Sequence, residues 1–346
     1  MPTGGQIRGM LLEEIILQAL RTAGYDTVLA PDGIRTFNGP SGLEIAGKAT
    51  RHQIDAVADY CFQPPFSHPQ RLLVEAKCYV DNVQLDVIRN AVGVHKDLSE
   101  AWATPLAGNQ RYHYQYAVFS ASEFSNAAEA YAFAHDVYLF PLRRSGFFQP
   151  IIRAIWRART RRLEVRRRRA QISMTELRTR FRDALESGTA GRRELNARLL
   201  DMGADGVLDE VLDAASQLNG VLFASTKSGF LVMLVPELGR ELLEVLQSAA
   251  STPIRIRAKS LRRGWCWVVE GRDGMRLFTL DIPPELFRRF VVPDGSLDRR
   301  AFADTKATEF GILQVPYRFG TQVGLERLQL DPEWIEEVRQ GLQNDL

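Results

Sequence analysis

Cysteine is scarce in this chain. Cys61, Cys78 and Cys266 are three in 346 residues, too few for a disulfide-stapled scaffold and too far apart for metal-ligand spacing. Long apolar runs are missing too: nothing approaches the ~20 residues that a membrane span needs. Met1-Pro2-Thr3-Gly4-Gly5 does not begin as a basic segment followed by an apolar one. These absences predict a cytoplasmic protein with no membrane partner. Neither charge is in excess, since 44 Lys+Arg against 42 Asp+Glu leave a net +2. Lysine is nearly absent, with six against 38 arginines, a bias that fits genome composition. What remains is ordinary: 45% hydrophobic and 25% charged residues exclude wholesale disorder. The length predicts two domains, each large enough to bury a core.

The near-zero net charge averages opposed regions. Residues 151–185 hold 12 arginines and three acids (Glu164, Glu176, Asp183), a net of +9, so the rest of the chain carries −7 and residues 1–150 carry −3. The block Arg166-Arg167-Arg168-Arg169 reads either as a solvated helix face or as an electrostatic footprint on phosphate, and charge alone leaves both open. The same segment marks a boundary. Pro150 can start a helix, and a second helix opens at Ser173 with Glu176 three residues on as a capping box. Met174, Leu177, Phe181 and Leu185 give that helix an apolar face, and Gly188 ends it. The division expected is a first domain over 1–149, a basic helical linker over 150–188 and a C-terminal domain over 189–346.

Within the first domain, Ile7 to Ala23 reads as an amphipathic helix. Leu12, Ile15, Ile16, Ala19, Leu20 and Ala23 share a face, with Glu13 at its edge and Glu14 pointing away. Tyr25 to Ala30 is a short strand, and Pro31 to Gly42 a loop. Two further strands follow, Gln53 to Tyr60 and Arg71 to Tyr79. On the second, alternation places Glu75 and Lys77 on one face and Leu72, Val74, Ala76 and Cys78 on the other. An acid and a lysine at the end of a buried strand are costly unless paired or liganded. Asp86–Leu98 reads as a helix, Tyr116–Ser120 as a strand, Asn126–His135 as a helix capped by Ser125, and Val137–Phe140 as a strand. The layout is α/β, a central sheet with helices on its faces.

Asp55, followed after 19 residues by Glu75-Ala76-Lys77, resembles the motif of the PD-(D/E)xK nuclease superfamily. The nearer likeness is to Mrr-like restriction endonucleases and archaeal Holliday-junction resolvases. Those families place a glutamate of their first helix eleven residues before a Gly-aromatic pair, as Glu13 stands before Gly24-Tyr25. A strand, a Ser-rich turn, an Ala-rich helix and a short apolar strand then follow, as Val118 to Phe140 does here. The resemblance spans residues 7 to 142. It implies a restriction-endonuclease-like mixed central sheet and a Mg²⁺- (or Mn²⁺-) dependent endodeoxyribonuclease of restriction, phage defence or repair, acting on double-stranded DNA. Under it, Asp55 and Glu75 ligate the metal with the Ala76 carbonyl, Lys77 orients the attacking water, and Glu13 acts through a water or a second ion. The strand has Ile54-Asp55 where the superfamily name has Pro-Asp.

A second match to the bare pattern, Asp304-Thr305-Lys306 after Asp281 and Asp294, lacks the strand and helix context. Arg51, Gln53 and Gln84 are weaker candidates for contacting nucleic acid, alongside Arg166 to Arg169. His95, His113 and His135 read as structural, and Ser120, Ser122 and Ser125 as turn and cap residues. Beyond residue 188, helices near 190–202 and 206–218, a hairpin around Lys227-Ser228-Gly229, a helix from Pro236 to Ala249, strands at 254–258, 265–269 and 277–280, and a last helix from Pro332 describe an α+β domain. Its role is target recognition, partner docking or oligomerisation, with a homodimer and a protein partner both open. Arg255, Arg257, Lys259, Arg262 and Arg263 with Trp265 and Trp267 read either as a nucleic-acid face or as core tryptophans beneath a solvated strand. The competing expectation for the whole chain is a non-cleaving nucleic-acid-binding or protein-interaction module built on a nuclease-like fold.

Overall fold

The computed structural model describes residues 3–39, 42–62, 67–101, 111–160, 163, 172–218, 220–236, 252–261, 264–280, 286, 289, 298–319 and 322–341. The architecture is mixed α/β. The chain packs as two compact units, residues 1–21 with 26–219, and residues 22–25 with 220–346. The helices that follow Gly188 therefore group with the first unit, which extends well past the boundary expected at 149. Among the described residues no helix is long and apolar enough to cross a membrane.

The first unit opens with α1 (Gly4–Thr22), which buries more than one stripe: Met10, Leu11 and Leu17 join Leu12, Ile15, Ile16 and Leu20 out of solvent. A five-stranded sheet runs in the order β1 (Asp26–Thr27), β5 (Ala56–Asp59), β6 (Gln70–Lys77), β7 (His113–Ser120), β8 (Val137–Pro141). β5 runs antiparallel to both β1 and β6, and β6, β7 and β8 are parallel. The loop expected over 31–42 contributes β2 (Thr36–Asn38), which pairs with β3 (Leu43–Ala46) and β4 (Arg51–Ile54) in a separate small sheet. Parallel strands need crossovers, and α2 (Leu85–Glu100) and α3 (Asn126–Ala134) supply them. Leu72, Leu73 and Val74 are consecutive and all buried, as a central strand covered on both faces requires. The Leu73 face packs with Tyr116, Val118, Ile88, Val92 and Ala128 in one apolar cluster.

The described parts of the segment read as a basic linker pack into this unit. In α4 (Phe148–Arg157), Ile151, Ile152, Ala154 and Ile155 are buried. α5 (Met174–Glu186) carries the expected cap, Ser173 Oγ accepting from the Glu176 N–H at 3.0 Å. α6 (Thr189–Leu200) and α7 (Asp209–Ala215) follow. Arg166 to Arg169 lie outside the described residues.

The second unit is an α+β assembly whose strands close on themselves: β10 (Leu231–Pro236), β13 (Arg276–Leu280), β12 (Gly264–Gly271), β11 (Thr252–Leu261), β15 (Gln322–Leu330), β14 (Ile312–Phe319) and β9 (Leu222–Thr226) form a seven-stranded barrel. The sequence pattern marks no element between 281 and 330, where the structure has α8 (Arg299–Glu309), β14 and β15. Pro316 and Gly324 interrupt the apolar alternation that signals a strand. Both fit the hairpin: Gly324 sits opposite Tyr317, and a Cβ there would collide with the Tyr317 ring. α9 (Pro332–Arg339) is the expected last helix, capped by Asp331. The helix expected over 236–249 falls outside the described residues beyond Pro236.

Trp267 is fully buried, edge-on to Phe302 and Phe310, so it belongs to the core and offers no stacking platform. Arg257 bonds Glu270 at 3.0 Å, and Arg255 faces Asp331 at 3.7 Å. The nucleic-acid-face reading loses these three residues; the side chains of Lys259, Arg262, Arg263 and Trp265 lie outside the description.

Leu73→Ala, at a fully buried position of the central strand, is expected to destabilise the first unit by about 3 kcal/mol. Urea unfolding followed by a probe in that unit measures it. A loss below about 1 kcal/mol would show that the strand is not central to the core.

Candidate active site

The strand expected over 53–60 is interrupted at Asp55. β4 ends at Ile54 in the small sheet, and β5 begins at Ala56 in the large one. The Tyr60 N–H donates to the Gln70 carbonyl, which fixes the hydrogen-bonded pairs of the β5–β6 ladder. Counting back by two along the register gives 58 with 72, then 56 with 74. The next pair would be Ile54 with Ala76, but Ile54 has left to pair with Leu43. The Ala76 N–H is met instead by Asp55 Oδ2 at 2.8 Å. A side-chain carboxylate thus closes a ladder that the backbone abandons, and this draws Asp55 up beside Glu75.

Glu75 and Lys77 share a face of β6 and form a direct ion pair through Glu75 Oε1. The other oxygen, Oε2, accepts from the Tyr116 hydroxyl at 2.8 Å. Tyr116 comes from β7, in register with Leu73, which puts it on the same face. Among the described residues Asp55 Oδ1 accepts no hydrogen bond. Glu13, from α1, stands close enough for its charge to act on Asp55 and to feel Lys77. Asp55, Glu75 and Lys77 are therefore brought together, with Glu13 near enough to act on them through its charge.

Electrostatics sharpen the picture. Burial raises the Asp55 carboxyl, and Glu13 and Glu75 raise it further against the Ala76 N–H and Lys77, to about 7. Burial likewise raises Glu13, opposed by Arg178 and Lys77 and reinforced by Glu14. Burial works against the Lys77 ammonium, but Glu75 and then Asp55 outweigh it and hold its pKa above the ordinary value. Burial and the neighbouring Glu75 raise the Tyr116 phenol, so it stays a donor at any working pH. Three acids crowded with one lysine out of water form a site that favours added positive charge.

Among the described residues no group of three or more His, Cys, Asp or Glu side chains is arranged as a metal cage. Mg²⁺ does not require one, since it binds through one or two carboxylates and keeps several waters. Asp55 and Glu75 supply that donor set, with the Ala76 carbonyl on the same strand. The free lone pairs of Asp55 Oδ1 suit a hard dication.

The weaker candidates are elsewhere. Arg51 stacks on the Phe37 ring at 3.7 Å, Gln53 is exposed opposite Glu44, and Gln84 precedes α2 with Nε2 donating to the Asn82 carbonyl at 2.8 Å. No hydrogen bond or ion pair among the described residues joins them to the acids. His95 bonds the Tyr114 carbonyl and Ser125 caps α3, both structural as expected. The second pattern match lies on α8. Lys306 there is completely buried between the Phe302 and Trp334 rings, and Asp304 pairs with Arg339, so it forms no strand-end site.

Tyr116 and Arg178 are neighbours of the acids that sequence reading missed. Tyr116 shares a strand face with Val118, but only the β6–β7 register sets its hydroxyl beside Glu75. Arg178 lies 165 residues from Glu13. Its signal is a second arginine four positions on, Arg182, on the polar face of a helix. Nor does Glu14 point to solvent: it is 1% exposed and paired with both arginines.

No family model and no curated protein matches the chain. Among solved structures it is similar to a crystal structure described as a protein of unknown function, AF1548, at 14% identity over 60% of this chain and 97% of that one, with a TM-score of 0.33. A likeness that low carries no argument about fold or activity.

The raised Asp55 pKa has a definite sign in stability. Below about pH 4 the carboxyl is protonated folded or unfolded. Between there and about 7 the unfolded chain ionises while the folded chain keeps its proton, so stability falls as pH rises through that window. Asp55→Asn keeps an acceptor for the Ala76 N–H and removes the titration. In a chelator-containing buffer the variant is expected to gain on the wild type on the order of 4 kcal/mol between pH 4 and pH 8. Parallel stability–pH curves for the two proteins would refute the buried-acid assignment.

Proposed function

We propose that this protein is a divalent-cation-dependent endonuclease that hydrolyses DNA phosphodiester bonds, on a restriction-endonuclease-like first unit. The observation that carries the reading is the convergence of Asp55, Glu75 and Lys77 at the point where β5 breaks away from β6. These are the residues that the motif resemblance nominates, joined by Glu13 from the first helix. A cation, when bound, would neutralise phosphate charge and acidify water.

The chain's own groups divide the remaining work. Asp55 and Glu75 would hold the cation, Asp55 fixed through its bond to the Ala76 N–H and Glu75 through Tyr116. Lys77 presents an ammonium beside them, which suits an oxygen gaining negative charge as phosphorus is attacked. Burial of the cluster keeps these interactions strong by limiting water. Tyr116 holds Glu75 by its hydroxyl and stays protonated, so it orients the carboxylate without competing for protons. The attraction to DNA is assigned to the arginine-rich segment through Arg166 to Arg169. In the described part of that segment Arg157, Arg178, Arg180 and Arg182 are already paired with carboxylates.

Supercoiled plasmid with Mg²⁺ or Mn²⁺ is the direct test. The full chain is expected to nick or linearise it, Glu75→Gln and Lys77→Met each to slow cleavage by about 100-fold or more, and chelator to abolish it. Cleavage that persists in both variants would overturn the site. DNA retention without cleavage in any cation would establish the non-cleaving alternative.

A further inference from the structure

The Glu14 carboxylate on α1 is wholly buried and fully engaged. Oε2 accepts from Arg182 Nε at 2.7 Å, and Oε1 accepts from Arg182 Nη2 and from Arg178 Nη1, both at 2.9 Å. The remaining terminal nitrogen of Arg178, Nη2, donates to Glu13 Oε2 at 2.5 Å. One guanidinium therefore spans two adjacent carboxylates. Both Glu14 oxygens are thus taken up by arginine. Glu13 acts on Asp55 and Lys77.

The arrangement is directional. Arg182 grips Glu14 through two nitrogens, which anchors α5 on α1 and fixes where Arg178 stands. Arg178 then has one nitrogen committed to the anchor and one left for the pocket. With Oε2 so occupied, Oε1 is the Glu13 oxygen left for the pocket, and it accepts no hydrogen bond among the described residues. A planar fork makes this bridge; a lysine, as a single point charge, cannot serve both acids with the same geometry.

We propose that Arg178 is a positioning residue of the acidic pocket: it orients Glu13 and makes α5, lying beyond residue 149, part of the site. The pocket's use of a cation rests on the endonuclease reading, whereas the Arg178–Glu13 coupling does not. Glu14 and Arg182 form the anchor, and Glu13 is what the anchor positions.

The test is a double-mutant cycle in the full chain, Arg178→Met with Glu13→Gln, read first by Mn²⁺ titration without DNA, following free Mn²⁺ by electron paramagnetic resonance. Arg178→Met is expected to weaken Mn²⁺ binding about tenfold, the scale of outer-shell partners of metal ligands, and to weaken it no further when Glu13→Gln is already present. Arg182→Met should lower thermal stability and, by loosening the anchor that places Arg178, weaken Mn²⁺ binding by less than Arg178→Met does. Equal weakening by Arg178→Met in both backgrounds would overturn the proposal and leave Arg178 a purely structural residue. Should the wild type take up no Mn²⁺, the cation reading fails by itself. The coupling is then decided by urea unfolding, where non-additivity of about fivefold or more in the unfolding constant supports it and additivity rejects it. Should Arg178→Met not fold, Arg178→Lys takes its place in the same cycle, because it keeps a charge beside Glu14 and cannot bridge to Glu13.

Discussion

The hydrogen bond from the Ala76 N–H to Asp55 Oδ2 sets the geometry of the acidic pocket. A strand running straight through residue 55 would have satisfied Ala76 with the Ile54 carbonyl and kept Asp55 as one more ladder residue. Instead the chain changes sheets there, and a buried N–H must find another acceptor or cost roughly 1–3 kcal/mol. The aspartate supplies it. The same bond that repairs the ladder holds a carboxylate beside Glu75, out of water, where its proton affinity rises. A backbone requirement and an electrostatic property thus share one atom.

Charge in this protein is a matter of location. The bulk value of +2 conceals a strongly basic stretch, in whose described part Arg153, Arg157 and Arg159 are exposed while Arg178 and Arg182 turn toward the acids of α1. Arg178 and Arg182 neutralise acids on α1, while Arg180 and Arg198 share Glu176. Arginine suits this use: guanidinium is weakly hydrated and forks to two oxygens, so its burial beside carboxylate costs less than that of an ammonium. Lysine, rare throughout, stands at two guarded places, in the pocket as Lys77 and within an aromatic enclosure as Lys306.

Much of the first unit was legible because its signals are local. Alternation along Arg71–Lys77 placed Glu75 and Lys77 on one face, Ser125 and Ser173 announced their helices as caps, and the apolar stripe of α1 was plain. Local patterns failed where partners are distant. Glu14 looks solvent-facing on a helical wheel, since nothing within twenty residues explains its burial, and its guanidinium partners come from α5. The break at Asp55 was hidden because 53–60 reads as one continuous strand; only competition between two sheets for residues 51–59 splits it. The barrel escaped notice for a related reason. Pro316 and Gly324 weaken β14 and β15 as strands when read alone, and closure is a property of seven strands together.

The buried acid on α1 also bears on how the protein is made. Glu14 leaves the ribosome early, whereas Arg178 and Arg182 follow 164 and 168 residues later. At typical synthesis rates that gap lasts on the order of 10–30 s. During it, α1 cannot take its final place without stranding a carboxylate in an apolar setting. The docking of α1 with Glu14 buried is therefore coupled to the arrival of α5.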